Sequence, residues 1–246
     1  MIYNQRDIWQ GRSFEIYGEY SEEEVRLYTK ILKNEDIVVE AGGNIGSLMV
    51  PLSRLVGAGS VITFEPERNA FYALAGNIAI NNLRNVFCFQ QALGKTSGLV
   101  NVPELDIEKT DNFGGLELDK DYSQATHYPV GVNTIDNLNL PRCDLIKADV
   151  EGMELPVLEG ATKTIDALNP YLIVEDDREE KSEALRKFIK SKGYRMYLHQ
   201  APLFNPNNWS GIKENVFGDT VSQNLFCHKK EIQFDPVAEF GMTPVP

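Results

Sequence analysis

No stretch of the chain stays apolar for the roughly 20 residues that a membrane helix needs, so a membrane span is not expected. The amino terminus, Met1-Ile2-Tyr3-Asn4-Gln5-Arg6-Asp7, has neither the basic start nor the apolar core of a secretory signal; cytoplasmic residence is the expectation that follows. Cysteine is sparse. Cys88, Cys143 and Cys227 are odd in number, far apart and outside any Cys-x-x-Cys pattern, which suggests neither a disulfide framework nor a zinc site. Positive charge is also short: Lys and Arg number 24 against 36 Asp and Glu, a net charge of −12, and that balance opposes the phosphate contacts on which nucleic-acid binding rests. Nucleic acid is not an expected partner.

What is present is a regular alternation. From residue 36 to 199 short β-branched runs exchange with helical periods, the pattern of a doubly wound, Rossmann-like α/β sheet with helices on both faces. Strands are predicted at 36–41, 60–65, 86–90, 144–149, 171–175, 194–199 and 221–229. Ile45, Leu48, Met49, Leu52, Leu55 and Val56 recur at helical spacing, as do Phe71, Leu74, Ala75 and Ile78, and Leu185, Phe188 and Ile189. Leu155, Leu158, Ile165 and Leu168 predict one further helix, begun at Pro156 and ended by Asn169-Pro170. Ser21 and Glu24 have capping-box spacing, so residues 1–35 read as a helical cap over the sheet edge. Residues 101–128 and 200–220 resist assignment, as lids or binding loops often do.

The first predicted strand runs into Gly42-Gly43-Asn44-Ile45-Gly46 and then a helix. Glycines there remove the Cβ atoms that would keep a ligand from the backbone N–H groups. The nicotinamide fingerprint needs glycine at the first, third and sixth positions, and neither Gly42 nor Gly43 starts such a register; the phosphate-loop pattern fails because no Lys follows Gly46. Glu65 closes the second strand about 20 residues beyond the turn, where an acid can accept both ribose hydroxyls of an adenosine. Turn and acid together indicate an adenosine-bearing ligand, against the plainer reading of a tight strand-to-helix connection.

Several motifs carry a resemblance: Glu40-Ala41-Gly42-Gly43-Asn44-Ile45-Gly46, Phe64-Glu65-Pro66, Gln91-Ala92-Leu93-Gly94, Ile146-Lys147-Ala148-Asp149-Val150-Glu151-Gly152-Met153-Glu154 and Leu158-Glu159-Gly160-Ala161. In this order they resemble the FkbM family of class I S-adenosylmethionine-dependent methyltransferases. Two departures stand out: Glu40 where many members have Asp, and Gly42-Gly43 where many have Gly-Ala. The resemblance implies a single methyltransferase domain over 1–246, a seven-stranded, mostly parallel sheet with the last strand antiparallel, and methyl transfer to a hydroxyl oxygen. It also implies S-adenosylmethionine as cofactor, held by Glu40, Ala41, Gly42, Gly43, Asn44, Gly46, Glu65, Pro66 and Asp149, with a Gln91-Ala92 turn flanking the adenine.

Transfer to an alcohol requires a group that takes its proton. Asp149 ends the fourth strand, at the sheet edge where α/β folds bind ligands; Glu151 follows it, and His199 is the histidine expected at a strand end facing the site, although a lone His is commonly structural. Asp149, Glu151, Glu175 and Asp176 form an oxygen-rich set that would suit a hard divalent ion, but acids at helix starts are also favoured by the helix dipole, and no metal is expected. A small-molecule or saccharide acceptor is the concrete expectation, since amides pair with hydroxyls and aromatic rings cover sugar C–H faces. Glu19, Asn112, Glu175, Asn205 and Asn208 are its candidate contacts, with Asn and Pro also ordinary turn residues. The alternatives are a catalytically silent cofactor-binding subunit and an NAD-dependent oxidoreductase. Oligomeric state leaves no signature in the sequence.

Overall fold

The computed structural model describes residues 1–106, 108, 112, 114–116 and 125–246; Phe113 and most of the 107–124 stretch of the expected lid fall outside them. Eleven strands follow in chain order: β1 (Ile37–Ala41), β2 (Ser60–Phe64), β3 (Val86–Phe89), β4 (Gln91–Leu93), β5 (Gly98–Pro103), β6 (His127–Asn133), β7 (Leu145–Ala148), β8 (Tyr171–Glu175), β9 (Arg195–Pro202), β10 (Val221–His228) and β11 (Thr243–Val245). The main sheet has the order β11-β9-β10-β8-β7-β1-β2-β3. Strands β3, β2, β1, β7 and β8 are parallel, while β10 runs antiparallel between β8 and β9.

All the predicted strands lie in this sheet, but it has eight strands rather than seven. The addition is β11, antiparallel on β9: three residues with a central proline give no period-2 signal. A second sheet, β4-β6-β5, was also not foreseen, and the expected Gln91-Ala92 turn is part of its strand β4.

Period-2 alternation divides the main sheet between two cores. Val39, Ala41, Ile146 and Ala148 face helices α5 (Glu154–Glu159), α6 (Thr162–Leu168) and α7 (Glu179–Ser191) through Val157, Leu158, Ile165 and Leu185. Val38 and Leu145 face α2 (Glu22–Ile31), α3 (Met49–Val56) and α4 (Arg68–Ile80) through Tyr28, Leu52 and Leu74. Each fully buried aliphatic side chain contributes about 1.5–3 kcal/mol, so the two faces supply the rigidity on which the loops at the strand ends rest. The helix expected from Leu155 to Leu168 is broken at Gly160-Ala161. A Cβ at Gly160 would lie 2.0 Å from the Gly94 carbonyl oxygen, so tertiary contact with the β4–β5 turn sets the break.

Ahead of the sheet lie α1 (Gln10–Tyr17) and α2. Ser21 precedes α2 as expected, yet in left-handed conformation (φ 52°) and without a side-chain bond to the helix amides. Its hydroxyl instead donates to Glu24 Oε1 at 2.8 Å. Beyond α7, the short helix α8 (Pro236–Phe240) is capped by Asp235, whose carboxylate accepts from the amides of Val237 and Ala238. Among the described residues no helix is long and apolar enough to cross a membrane.

Candidate active site

The glycine turn is shaped first by its protein neighbours. Gly42 has φ 81°, and a Cβ there would stand 1.8 Å from the carbonyl oxygen of Asp149, so the side-by-side ends of β1 and β7 leave room only for glycine. The expectation that bare N–H groups await a ligand is corrected. Gly42 and Gly43 both donate to the Phe64 carbonyl at 3.0 Å, Gly46 donates to the Gly43 carbonyl at 2.8 Å, and the Asn44 N–H donates to Glu65 Oε2 at 2.8 Å. What the glycines provide is close approach of backbone; their amides are already partnered.

Glu65 joins this turn to the start of α4. Its Oε1 accepts from the Glu67 N–H at 2.8 Å, and Glu67 caps α4 by accepting from the Ala70 N–H at 2.7 Å. Burial pushes the Glu65 carboxyl up to about 7, with the two amide hydrogen bonds opposing the rise.

Two cavities open on either side of Asp149. One, of 310 Å³, is mostly apolar; Phe64, Pro66, Ala92, Val150, Met153 and Pro156 form its walls, with Glu65 and Gln91 at hand. The other, of 360 Å³, is polar, and its walls include Tyr20, Glu24, Glu40, Lys147, Glu175 and Arg178. Gly42, Asn44, Glu65, Gly114, Asp149 and Glu151 belong to both. Of the remaining cofactor candidates, Glu40 and Gly43 line the polar cavity, whereas Ala41 and Gly46 line neither.

Glu40 and Lys147 lie opposite one another across β1 and β7, on the α2 side of the sheet. Both are almost wholly buried, 1% and 2% exposed. Lys147 Nζ donates to Asp149 Oδ2 at 3.0 Å, and the surrounding charges of Asp149, Glu40 and Glu24 outweigh burial and hold the ammonium above its ordinary range. Thr63 Oγ1 donates to Glu40 Oε2 at 2.7 Å.

Oxygens of Asp149, Glu151 and Glu175 come within 4.8 Å of one another. Arg178 ties this group together, pairing with Glu151 and Asp177 and, at 3.3 Å, with Glu175. Burial and the neighbouring Asp149 push Glu151 up to about 7 against the pull of Arg178, and burial with Asp149 and Glu151 raises Glu175 further. Glu151 has φ 55°. Glu154 holds that turn, accepting from the N–H groups of Val150 (3.1 Å) and Gly152 (2.9 Å), so its carboxylate is structural. Asp176 leaves the group altogether and pairs with Arg186 at 2.7 Å.

Four expected site residues stand elsewhere. His199 lines neither cavity; its ring meets Phe240 edge-on at 6.0 Å, burial lowers its pKa, and neither ring nitrogen has a hydrogen-bond partner among the described residues. Its strand continues three residues past it, to Pro202, which leaves His199 beneath α2 rather than at the strand end. Glu19, Asn205 and Asn208 are likewise outside the cavities and fasten the 203–220 loop. Glu19 accepts from Asn205 Nδ2 and from the Trp209 N–H, both at 2.7 Å, while Asn208 bonds the carbonyls of Asn205 and Ile212 and the N–H of Ile212. Asn112 and Glu175 do line the polar cavity. Glu24, Lys147 and Arg178 were not anticipated as cavity residues. For Lys147 a signal existed, a lone charge inside the apolar run Leu145-Ile146-Lys147-Ala148; for Arg178 there was none.

The raised carboxyls make stability fall as pH rises. Glu65 and Glu151 titrate near 7 when folded and from the ordinary value of 4.5 when unfolded, so folding holds protons that the unfolded chain releases, and stability present below 4.5 is lost as pH rises through about 7. The ligand-free protein is expected to melt at a higher temperature at pH 5 than at pH 7.5, with a smaller difference in Glu65→Gln. A midpoint higher at pH 7.5 would refute this.

The central parallel sheet, reversed at β10, with a ligand-sized cleft at the carboxyl ends of β1, β2 and β7, defines the Rossmann-like class of methyltransferase folds. The family model of the methyltransferase FkbM domain matches residues 40–196, more than half of the chain, and the protein belongs to that family. It is 26% identical over 182 residues to Methyltransferase 1 of Beauveria bassiana, covering 65% of this chain and 73% of that protein. It is 25% identical over 174 residues to the hexuronic acid methyltransferase AglP of Haloferax volcanii, covering 71% and 68%. Among solved structures, an FkbM methyltransferase from Methylobacillus flagellatus superposes with a TM-score of 0.59 at 18% identity, over 88% of this chain and 49% of that one; the present chain thus spans about half its length. A putative methyltransferase from Streptococcus mutans, solved in complex with SAH, gives a TM-score of 0.51 at 13% identity over 84% and 96%.

Proposed function

We propose that the protein is an S-adenosylmethionine-dependent O-methyltransferase acting on a hydroxyl of a small molecule or glycan, a sugar being the favoured acceptor. The observation that carries this reading is that an apolar cavity and a polar one meet at three carboxylates, Glu65, Asp149 and Glu151. The apolar cavity suits an adenine between Ala92, Val150 and Met153, with Gln91 at its edge. Glu65, buried at the junction and still able to accept further hydrogen bonds, suits the ribose hydroxyls.

When bound, S-adenosylmethionine supplies an electrophilic methyl carbon on a sulfonium. This chain's own part is to hold the acceptor oxygen in line and take its proton. Asp149, oriented by Lys147, or Glu151, oriented by Arg178, would receive that proton as the acceptor oxygen takes the methyl group. Asn112, Gly114 and Gly115 from the first expected lid, and Leu203 and Thr220 from the second, line the polar cavity and in this reading border the acceptor. AglP, whose name gives it a hexuronic acid substrate, lends support to a sugar.

Calorimetric titration tests the donor half: S-adenosylmethionine or S-adenosylhomocysteine is expected to bind and NAD not to. Binding of NAD without the others would replace the proposal by an oxidoreductase. Transfer of a labelled methyl group to a sugar panel tests the acceptor half; donor binding with no transfer to any hydroxyl compound would leave a silent binding subunit.

A further inference from the structure

Resting on the methyl-transfer reading above with its sugar acceptor, we propose that the acceptor is a glycan of at least two sugar units: the reacting unit in the polar cavity, and an uncharged outer unit stacked on the indole of Trp209.

Trp209 is 86% exposed, more than any other large apolar side chain among the described residues. Its place is nonetheless fixed. The Trp209 N–H donates to Glu19 Oε2 at 2.7 Å, the Ser210 N–H to the Tyr17 carbonyl at 3.0 Å, and the buried side chain of Asn208 bonds the loop on both sides of the ring. A Cβ at Gly18, where φ is 74°, would stand 3.0 Å from Trp209 Cδ1, so the glycine leaves room for the indole. An apolar ring that adds little to the core, yet is held in place, needs no further ordering when it meets a ligand.

The ring stands at the border of the polar cavity. Gly18, against which it packs, is two residues from Tyr20 on the cavity wall, a separation of at most about 7 Å along the backbone. The base of the Trp209 loop belongs to the same wall through Leu203 and Thr220, where the Leu203 N–H donates to the Thr220 carbonyl at 3.2 Å.

The chemistry around the indole is that of an uncharged, hydroxyl-rich ligand. Asn207 and Ser210, both exposed, flank it, and neither side chain makes a hydrogen bond to the described residues, so an amide and a hydroxyl are open to sugar hydroxyls while the ring covers a C–H face. The nearby charges are committed: Lys213 Nζ donates to the Pro206 carbonyl at 3.0 Å, and both oxygens of Glu19 accept from the loop. Residues 203–220 hold Lys213 against Glu214 and Asp219, a balance that does not attract nucleic-acid phosphates or an anionic lipid surface.

The test measures labelled methyl transfer by the full chain to methyl glycosides of glucose, galactose, mannose and N-acetylglucosamine and to the matching disaccharides and trisaccharides. At least one oligosaccharide is expected to have a KM about tenfold below that of its matching monosaccharide. Trp209→Ala should abolish that advantage by raising the oligosaccharide KM, with kcat, the monosaccharide KM, S-adenosylhomocysteine affinity and thermal midpoint unchanged; Trp209→Tyr, which keeps an aromatic face, should retain most of it. Oligosaccharides no better than their matching monosaccharides overturn the proposal, as does a Trp209→Ala variant that keeps the advantage, loses both acceptor classes equally or melts earlier. Transfer to none of these sugars while S-adenosylhomocysteine binds normally overturns the sugar acceptor and this proposal with it. Failure of S-adenosylhomocysteine to bind overturns the methyl-transfer reading itself, so the failures are told apart.

Discussion

Asp149→Asn is expected to lower the rate of methyl transfer by about 10²- to 10⁴-fold, the usual worth of a positioned general base, while changing affinity for S-adenosylhomocysteine only a few-fold. The amide is nearly the same size as the carboxylate, and its oxygen can still accept from Lys147 Nζ, now 3.0 Å from Asp149 Oδ2. The substitution therefore removes basicity and little else. Glu151→Gln is the comparison: Glu151 is tied to Arg178 and is protonated over part of the neutral range, so it is expected to lose less. Near-normal turnover in Asp149→Asn with a collapse in Glu151→Gln would transfer the proton-accepting role to Glu151. Full activity in both would remove the carboxylates from the chemistry.

The second large effect concerns the turn itself. Gly42→Ala puts a methyl group 1.8 Å from the Asp149 carbonyl at a φ of 81°, so β1 and β7 must part where both cavities meet. A cost of about 3 kcal/mol or more is expected, read as a fall of roughly 10 °C in thermal midpoint for a chain of this size, with loss of donor binding even where the variant still folds. Gly98→Ala is the control, since a Cβ there meets nothing within 4 Å, and it is expected to leave both measurements unchanged. A stable, donor-binding Gly42→Ala would show that the strand ends are not held as tightly as the contact implies.

How much of this was legible in the sequence depended on the range of the interactions. Strands β1, β2, β7 and β8 announce themselves because burial on both faces makes them short apolar runs. The glycine turn and Glu65 were readable because their spacing along the chain mirrors their spacing in the fold. Strands β4 and β11, three residues each, carry too little pattern to be seen and are defined by the partners they pair with. His199 looked like a strand-end residue because β9 was taken to stop there. Glu19, Asn205 and Asn208 were chosen for their chemistry, yet the Asn205 amide serves the Glu19 carboxylate across 186 positions of sequence, a pairing that no local signal records, and the Asn208 amide serves its own loop. Arg178 is the counterpart among the gains: its three acid partners come from two different strand ends, and only the folded sheet assembles them.

Every residue of the apolar cavity lies between Gly42 and Pro156, inside the stretch matched by the family model, whereas much of the polar wall, including Trp9, Tyr20, Glu24, Leu203 and Ser222, comes from segments on either side of it. On the methyl-transfer reading, the donor cavity is built wholly within the family-matched stretch, and the acceptor cavity takes part of its wall from the segments that flank it. Likeness in the shared stretch therefore reports how the methyl group is carried and says little about where it is delivered. Two chains could agree throughout their central segment and still modify unrelated compounds, and a chimera with its ends replaced would be expected to change its customer while keeping its trade.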